Sequence, residues 1–308
     1  MIDVLRVGHA TFTTPDLDRE VAYYSDVMGL IVTERDKNRA FLATRTGFEA
    51  ISLERGDKPA LTRLSFQVAP DADFAAYGRE LSGYGIKSEQ RNGISPGAAR
   101  ALTFIDLKGT VIELYSDYVF ARDDGKQATI TPLKLGHVAH RVDDVQKMVK
   151  FYTEVMGFRV SDWHADTFAF LRCGADHHTV NFVYDAVPQL HHIAFEVKDW
   201  PEIHRACDFL GRNNIHLVWG PGRHIIGHNV ATYHRNSDLV RVEIFTEMDQ
   251  IKDEALGYFD PRPWHQEFPL YPKMHGPETL RNYWGYGSER VIQGYQTNEL
   301  PQYEAIRG

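Results

Sequence analysis

The residues from Gly220 to Phe245 place three chemically capable side chains at short spacing. His224 follows Gly220-Pro221-Gly222-Arg223, Tyr233 stands further along, and Glu243 sits in Val242-Glu243-Ile244-Phe245. A histidine trades protons near neutral pH. A carboxylate on an otherwise apolar strand, with histidines nearby, is a metal-binding signal. Two other patterns are set aside. His224 and His228 have the spacing of a helical zinc pair, but Pro221, Gly222 and Gly227 make this stretch a loop. His164-Ala165-Asp166 is a His-x-Asp pattern with metal-ligand spacing, but it reads as a connection between strands and as a chance match.

The elements that must position these residues come as a repeat. Leu5 to Phe12 is strand-like, Thr14-Pro15-Asp16 opens a helix with Leu17, Val21, Tyr24 and Met28 on one face, and Gly29 stops it. Short β-type runs follow at 41–44 and 50–53, so the unit reads β-α-β-β-β. The order recurs from Arg63 to Val68, through a helix near Asp73 to Leu81, to the strand 110–115. After the polar stretch 121–126 the whole pattern begins again. His137 lies 128 positions after His9, Gly157 lies 128 after Gly29, and Glu243 lies 130 after Glu113. One such unit cannot bury its sheet face alone, so the units pair. The fold class is therefore α+β, with four βαβββ modules paired into two similar domains, each a curved mixed β-sheet cup with helices outside. The boundaries read as 1–120 for the N-terminal domain, 121–132 for a linker, 133–250 for the C-terminal domain and 251–308 for a Pro- and aromatic-rich extension. That extension is a lid over a pocket or a subunit contact.

Overlaying the copies separates their roles. Both keep the first histidine (His9, His137) and the last glutamate (Glu113, Glu243), but the middle position is Arg63 in one and His192 in the other. Arginine stays protonated and has no lone pair for a cation. The positions matching His224 and Tyr233 are Ile94 and Thr103. The first copy is read as structural and metal-free, and the second as active. Strand alternation puts His192 and Glu243 opposite the apolar Ile193, Phe195, Val242 and Ile244. By the same alternation His191 faces away from the ligands, as a pocket wall or core residue. Around His137 the alternation fails, because Leu133 and Leu135 share its face. Two imidazoles and a carboxylate on one face of a cation leave about three positions open, the pattern of non-haem Fe(II) oxygenases. Open positions let one metal hold a chelating substrate beside dioxygen.

Composition narrows the class. At 308 residues the chain accommodates two cores, and a net charge of −8 argues against nucleic acid or an anionic membrane as the main partner. Cys173 and Cys207 are the only cysteines, which fits packing residues in a reducing compartment. Neither a secretory signal nor a membrane-spanning run is visible, so a cytoplasmic location is expected.

The combined motifs resemble the two-domain extradiol ring-cleaving dioxygenases of the vicinal oxygen chelate superfamily. The residues that carry the resemblance are Leu135-Gly136-His137, His177-His178-Thr179, Leu190-His191-His192, Gly222-Arg223-His224, and Tyr233 followed by Glu243. It covers roughly residues 5 to 247 and implies Fe(II), or less often Mn(II), held by His137, His192 and Glu243. It further implies that His178 is the acid/base residue beside the metal and that His224 and Tyr233 hydrogen-bond the bound catecholate. The implied reaction places both atoms of O2 next to the two hydroxyls of a catechol, opening the ring to a muconic semialdehyde type of product. Homo-oligomeric assembly is implied too. The turn Arg235 to Val240 departs from the Asp-Pro-x-Gly of many relatives, and His228 stands at a variable position. Two alternatives keep the fold: a metal-dependent lyase or isomerase of the glyoxalase type, which needs a second carboxylate, and a non-catalytic, metal-free ligand-binding protein.

Overall fold

The computed structural model describes residues 2–255, 272–277, 279 and 282–284. The N-terminal half runs β1 (Val4–Thr14), α1 (Leu17–Ala22) continued by a π-helical turn (Tyr23–Val27), β2 (Ile31–Arg35), β3 (Arg39–Ala43) and β4 (Glu49–Arg55). Its second module is β5 (Ala60–Val68), α2 (Phe74–Gly83), β6 (Ser88–Asn92), β7 (Arg100–Ile105) and β8 (Val111–Tyr115). The C-terminal half repeats this with β9 (Lys134–Val142), α3 (Val145–Glu154), β10 (Arg159–His164), β11 (Phe168–Arg172) and β12 (Val180–Tyr184). Its last module is β13 (Gln189–Glu196), α4 (Trp200–Arg212), β14 (Trp219–Arg223), β15 (Val230–Arg235) and β16 (Arg241–Thr246), and β17 (Lys273–His275) follows.

One residue type starts every helix. Asp16, Asp73, Asp144 and Asp199 each accept a backbone N–H of the first turn through the side chain, which satisfies a donor the helix leaves open. The helix after Asp16 ends where Gly29 turns to φ 67°, as the sequence reading places it.

The fold is α+β, as expected. In each module the first strand pairs in parallel with the last: β1 with β4, β5 with β8, β9 with β12, and β13 with β16. Antiparallel pairing of β1 with β5, and of β9 with β13, joins the modules into an eight-stranded and a nine-stranded mixed sheet. Strand order in the larger sheet is β14-β15-β16-β13-β9-β12-β11-β10-β17.

α1 and α3 each pack on their own sheet and reach the other half. α1 packs on β3 and β4, while Tyr24 of its π-helical turn meets Phe195 of β13. α3 packs on β10, β11 and β12, and its Phe151 meets Phe104 of β7. The two halves thus share one apolar core, from Ile2 through Phe66 and Tyr152 to Ile244.

The turn that departs from its relatives, Arg235 to Val240, lies at this contact. Asn236 Nδ2 donates to Glu20 Oε2 at 2.8 Å and Asp238 pairs with Arg19 at 2.8 Å.

Most of the aromatic residues of the extension, Tyr258, Phe259, Trp264, Phe268, Tyr271 and Tyr286 among them, lie outside the described residues. The described parts touch both edges of the larger sheet. β17 pairs with β10, while Asn282 Oδ1 accepts the Arg223 N–H of β14 at 3.1 Å. A flat nine-stranded sheet would hold those edges about 38 Å apart. The chain from His275 to Asn282 reaches at most about 25 Å. The sheet is therefore curled, with its concave face forming a cup.

Candidate active site

The concave face of the larger sheet encloses a cavity of about 190 Å³. All six residues singled out from the sequence line it: His137, His178, His192, His224, Tyr233 and Glu243.

His137 on β9, His192 on β13 and Glu243 on β16 come from three strands that are neighbours in the sheet. Their atoms form an equilateral triangle. His137 Nε2 lies 3.1 Å from His192 Nε2, and each nitrogen lies 3.1 Å from Glu243 Oε2. All three side chains are buried, and among the described residues they are the one group of histidine, cysteine or acidic side chains with metal-holding geometry. Bonds of about 2.1 Å to adjacent corners of an octahedron put donors about 3.0 Å apart, whereas a tetrahedron puts them about 3.4 Å apart. The triangle fits a cation held on one face, with the opposite face open.

Protonation states suit this role. Burial raises the Glu243 carboxyl, but the attraction of His137 and His192 outweighs it and holds the group well below its ordinary range. Burial lowers His192 to about 4, leaving its imidazole neutral with a lone pair to give. The other oxygen of the carboxylate, Glu243 Oε1, accepts from Asn229 Nδ2 at 2.9 Å.

The alternation that fails around His137 has a physical cause. The pairing of β9 with β13 shifts register between Leu135 and His137, so Gly136 is an extra residue that turns His137 to the cup while Leu135 stays in the core. The same device recurs in the first half, where the register of β1 shifts between Val7 and Ala10. A second bulge corrects the reading of His191. β13 slips between Leu190 and His192, so His191 also faces the cavity, its Nδ1 lying 2.6 Å from His192 Nδ1. Burial first, then the fields of His192 and Arg241, lower His191 to about 2, so it is neutral and able to accept the N–H of His192.

His224 stands in the loop between β14 and β15. Its Nε2 is 3.0 Å from Tyr233 Oη, and its ring lies flat on Trp219, with centroids 4.7 Å apart. Arg241 covers the Tyr233 ring, with the guanidinium carbon 4.3 Å from its centre. His228 is not a second ligand: its Nδ1 pairs with Asp249 at 2.6 Å.

His178, on the approach to β12, meets His137 edge to face at 4.4 Å, and burial holds its pKa well below the imidazole range. Its Nδ1 lies 3.0 Å from Nδ1 of His177, whose Nε2 lies 3.0 Å from Asp162 Oδ2.

Several contributors escape sequence reasoning. His164 is the last residue of β10, not part of a connection, and it lines the cavity with Phe168 and Phe170. Asn229, Trp219 and Asp162 stand in loops or at strand positions where no periodicity marks them. Overlaying the copies gives one signal for His178: β12 and β4 pair equivalently with β9 and β1, which sets His178 against Glu49.

The matching set in the first half is closed. Arg63 Nε reaches Glu113 Oε1 at 3.3 Å, while Ser65 bridges Glu113 at 2.5 Å and His9 at 3.0 Å. Thr103 faces Glu113 as Tyr233 faces Glu243.

Comparisons with known proteins agree with this geometry. Residues 134–251 match the Glyoxalase/Bleomycin resistance protein/Dioxygenase superfamily. A metapyrocatechase of Pseudomonas sp. (strain CF600) is 26% identical over 264 residues, covering 79% of this chain and 86% of its own. A manganese-dependent 2,3-dihydroxybiphenyl 1,2-dioxygenase of Geobacillus genomosp. 3 is 23% identical, covering 90% of this chain and 95% of its own. The solved structure of a Mn(II)-bound glyoxalase from Novosphingobium aromaticivorans superposes with a TM-score of 0.81 at 26% identity, covering 94% of this chain and 93% of that one. The half that matches this superfamily is the one that carries the buried His-His-Glu triangle on its paired βαβββ modules.

Proposed function

We propose that the protein is a metal-dependent extradiol dioxygenase that opens a catechol ring beside its two hydroxyls, using O2, in the degradation of aromatic compounds. The observation that carries this reading is the 3.1 Å triangle of His137, His192 and Glu243, facing a cavity ringed by His178, His224 and Tyr233. Fe(II), with Mn(II) as the alternative, would sit on that triangle and supply open positions for both catechol oxygens and O2, and a route for electrons between them.

The chain's own groups do the rest. Phe168, Phe170, Trp219 and Ile226 give the ring apolar walls that exclude water. His178, neutral and buried beside His137, takes a proton from a substrate hydroxyl and later returns it. The His224 and Tyr233 pair offers hydrogen bonds to a substrate oxygen from the other side, and the Trp219 stack fixes the imidazole plane.

The first half is assigned a structural role without metal, because Arg63 occupies the position of His192 and pairs with Glu113. Exposed Val119 and Phe120 support assembly as a homo-oligomer. Two unpaired thiols support the cytoplasm. Among the described residues, no helix is long and apolar enough to cross a membrane.

A glyoxalase-type lyase is the second reading, favoured by the name of one structural neighbour. An oxygen electrode separates the two. Fe(II)-loaded protein is expected to consume one O2 per ring opened from a panel of substituted catechols, and His192→Ala to lower metal affinity more than about 100-fold. Absence of uptake with every catechol, together with isomerisation of a hemithioacetal, sinks the dioxygenase reading.

A further inference from the structure

A line of buried polar groups leads away from the cavity through His178 and ends at the C-terminal strand. His178 Nδ1 meets His177 Nδ1 at 3.0 Å, and His177 Nε2 meets Asp162 Oδ2 at 3.0 Å. Asp162 Oδ1 accepts the backbone N–H of Lys273 at 3.0 Å, and His275 Nε2 stands 3.6 Å from Oδ2. His177, His178 and Asp162 are all at most 3% exposed.

Protons can be counted along this line. Asp162 is ionised: burial raises its carboxyl, but the hydrogen bond of His177, with His275 close by, outweighs that and holds it well below its ordinary value. A carboxylate only accepts, so His177 Nε2 must carry the proton of that bond. A ring whose proton sits on Nε2, in the bond to Asp162, keeps a lone pair on Nδ1, and the 3.0 Å contact is then a hydrogen bond in which His178 Nδ1 donates. The other nitrogen of His178, Nε2, is then the unprotonated one, on a ring that lines the cavity.

We propose that Asp162 and His177 are positioning residues that hold His178 as its Nδ1–H tautomer, so that Nε2 faces the cavity as a proton acceptor, and that β17 holds the Asp162 carboxylate in register. The inference rests on the dioxygenase reading for its purpose, though not for its test. In that reading the proton leaving a substrate hydroxyl goes to His178 Nε2, and the resulting cation keeps its Nδ1–H on His177, two hydrogen bonds from a fixed negative charge. The extension thereby gains a task of its own: a backbone N–H of β17 orients the first member of the line.

Histidine tautomers are read directly by ¹⁵N NMR of the full chain loaded with diamagnetic Zn(II), at a pH about one to two units above the ordinary imidazole value. His178 is expected to show protonated Nδ1 and bare Nε2, with its signals assigned by their loss in His178→Asn. In Asp162→Asn this preference is lost, kcat on a catechol falls about 10- to 100-fold with KM and anaerobic substrate binding unchanged, and Asp162→Glu recovers part of the rate. Lys273→Pro removes the backbone donor while leaving Asp162 in place and is expected to shift the same signals, which keeps the test open if Asp162→Asn does not fold. Nε2-protonated His178 in the natural protein, or an unaltered tautomer in both variants, overturns the proposal. A protein that opens no catechol fails the functional reading, while the NMR result still decides this one.

Discussion

Glu243 uses its two oxygens differently: Oε2 closes the triangle with the histidines, and Oε1 is held by Asn229 Nδ2 at 2.9 Å. A carboxylate pinned in this way cannot rotate to chelate with both oxygens, which keeps the open face of the site free. Asn229→Ala is therefore expected to weaken metal binding about 10- to 100-fold, measured by competition with a chromophoric chelator. Unchanged affinity would show that the amide only fills space. Sequence alone located Glu243, because a charged residue between Val242 and Ile244 is out of place on a buried strand unless it has partners. It could not locate Asn229, since a loop amide has no period to break and its purpose appears only when a strand from elsewhere brings the carboxylate beside it. Asp162 was hidden for the same reason, and His177 was visible only as part of the His177-His178-Thr179 motif, because their pairing joins residues distant in sequence.

At the scale of elements, the repeat was legible because the spacing of His9 and Glu113 returns in His137 and Glu243. What strict alternation misjudged were the β-bulges, each of which inserts one residue and reverses the facing of the next. His191 was placed on the wrong face for this reason. Gly136 shows the cost of changing such a bulge. A Cβ there would stand 2.4 Å from Phe245 Cζ, and that ring packs against His137 with centroids 5.0 Å apart. Gly8 has the same relation to Tyr115, at 2.4 Å from its hydroxyl. Both Gly→Ala changes are expected to cost about 1–3 kcal/mol in urea unfolding, but only Gly136→Ala should also lower bound metal per chain. Equal metal content in the two variants would mean that Phe245 does not help to set the position of His137.

At the scale of the molecule, the halves are joined through groups whose charge depends on pH. Burial, and then the charge of Asp238, raises Glu20 from its ordinary 4.5 to about 7. Below the lower value both folded and unfolded chains hold the proton, and this contact contributes in full. Between the two values the unfolded chain releases its proton first, so stability falls as pH rises until the folded group has also ionised. The stability of the natural protein relative to Glu20→Gln should fall by about 3 kcal/mol across this window, read from urea midpoints at matched pH. A difference that does not vary with pH would place the interface's pH response elsewhere. That the halves share one core could not be read from the repeat, which describes each half by itself.

Arg63 gives the first half a cation that is part of its own chain. It cannot be chelated, oxidised or lost to a competing ligand, and it needs no supply from the cell. The two cups therefore age differently. One depends on a dissociable ion whose loss leaves a buried carboxylate between two imidazoles, while the other keeps its counter-charge for as long as the polypeptide lasts. Because the two share a core, the half with the permanent counter-charge is expected to keep its outline when metal is withdrawn from the other.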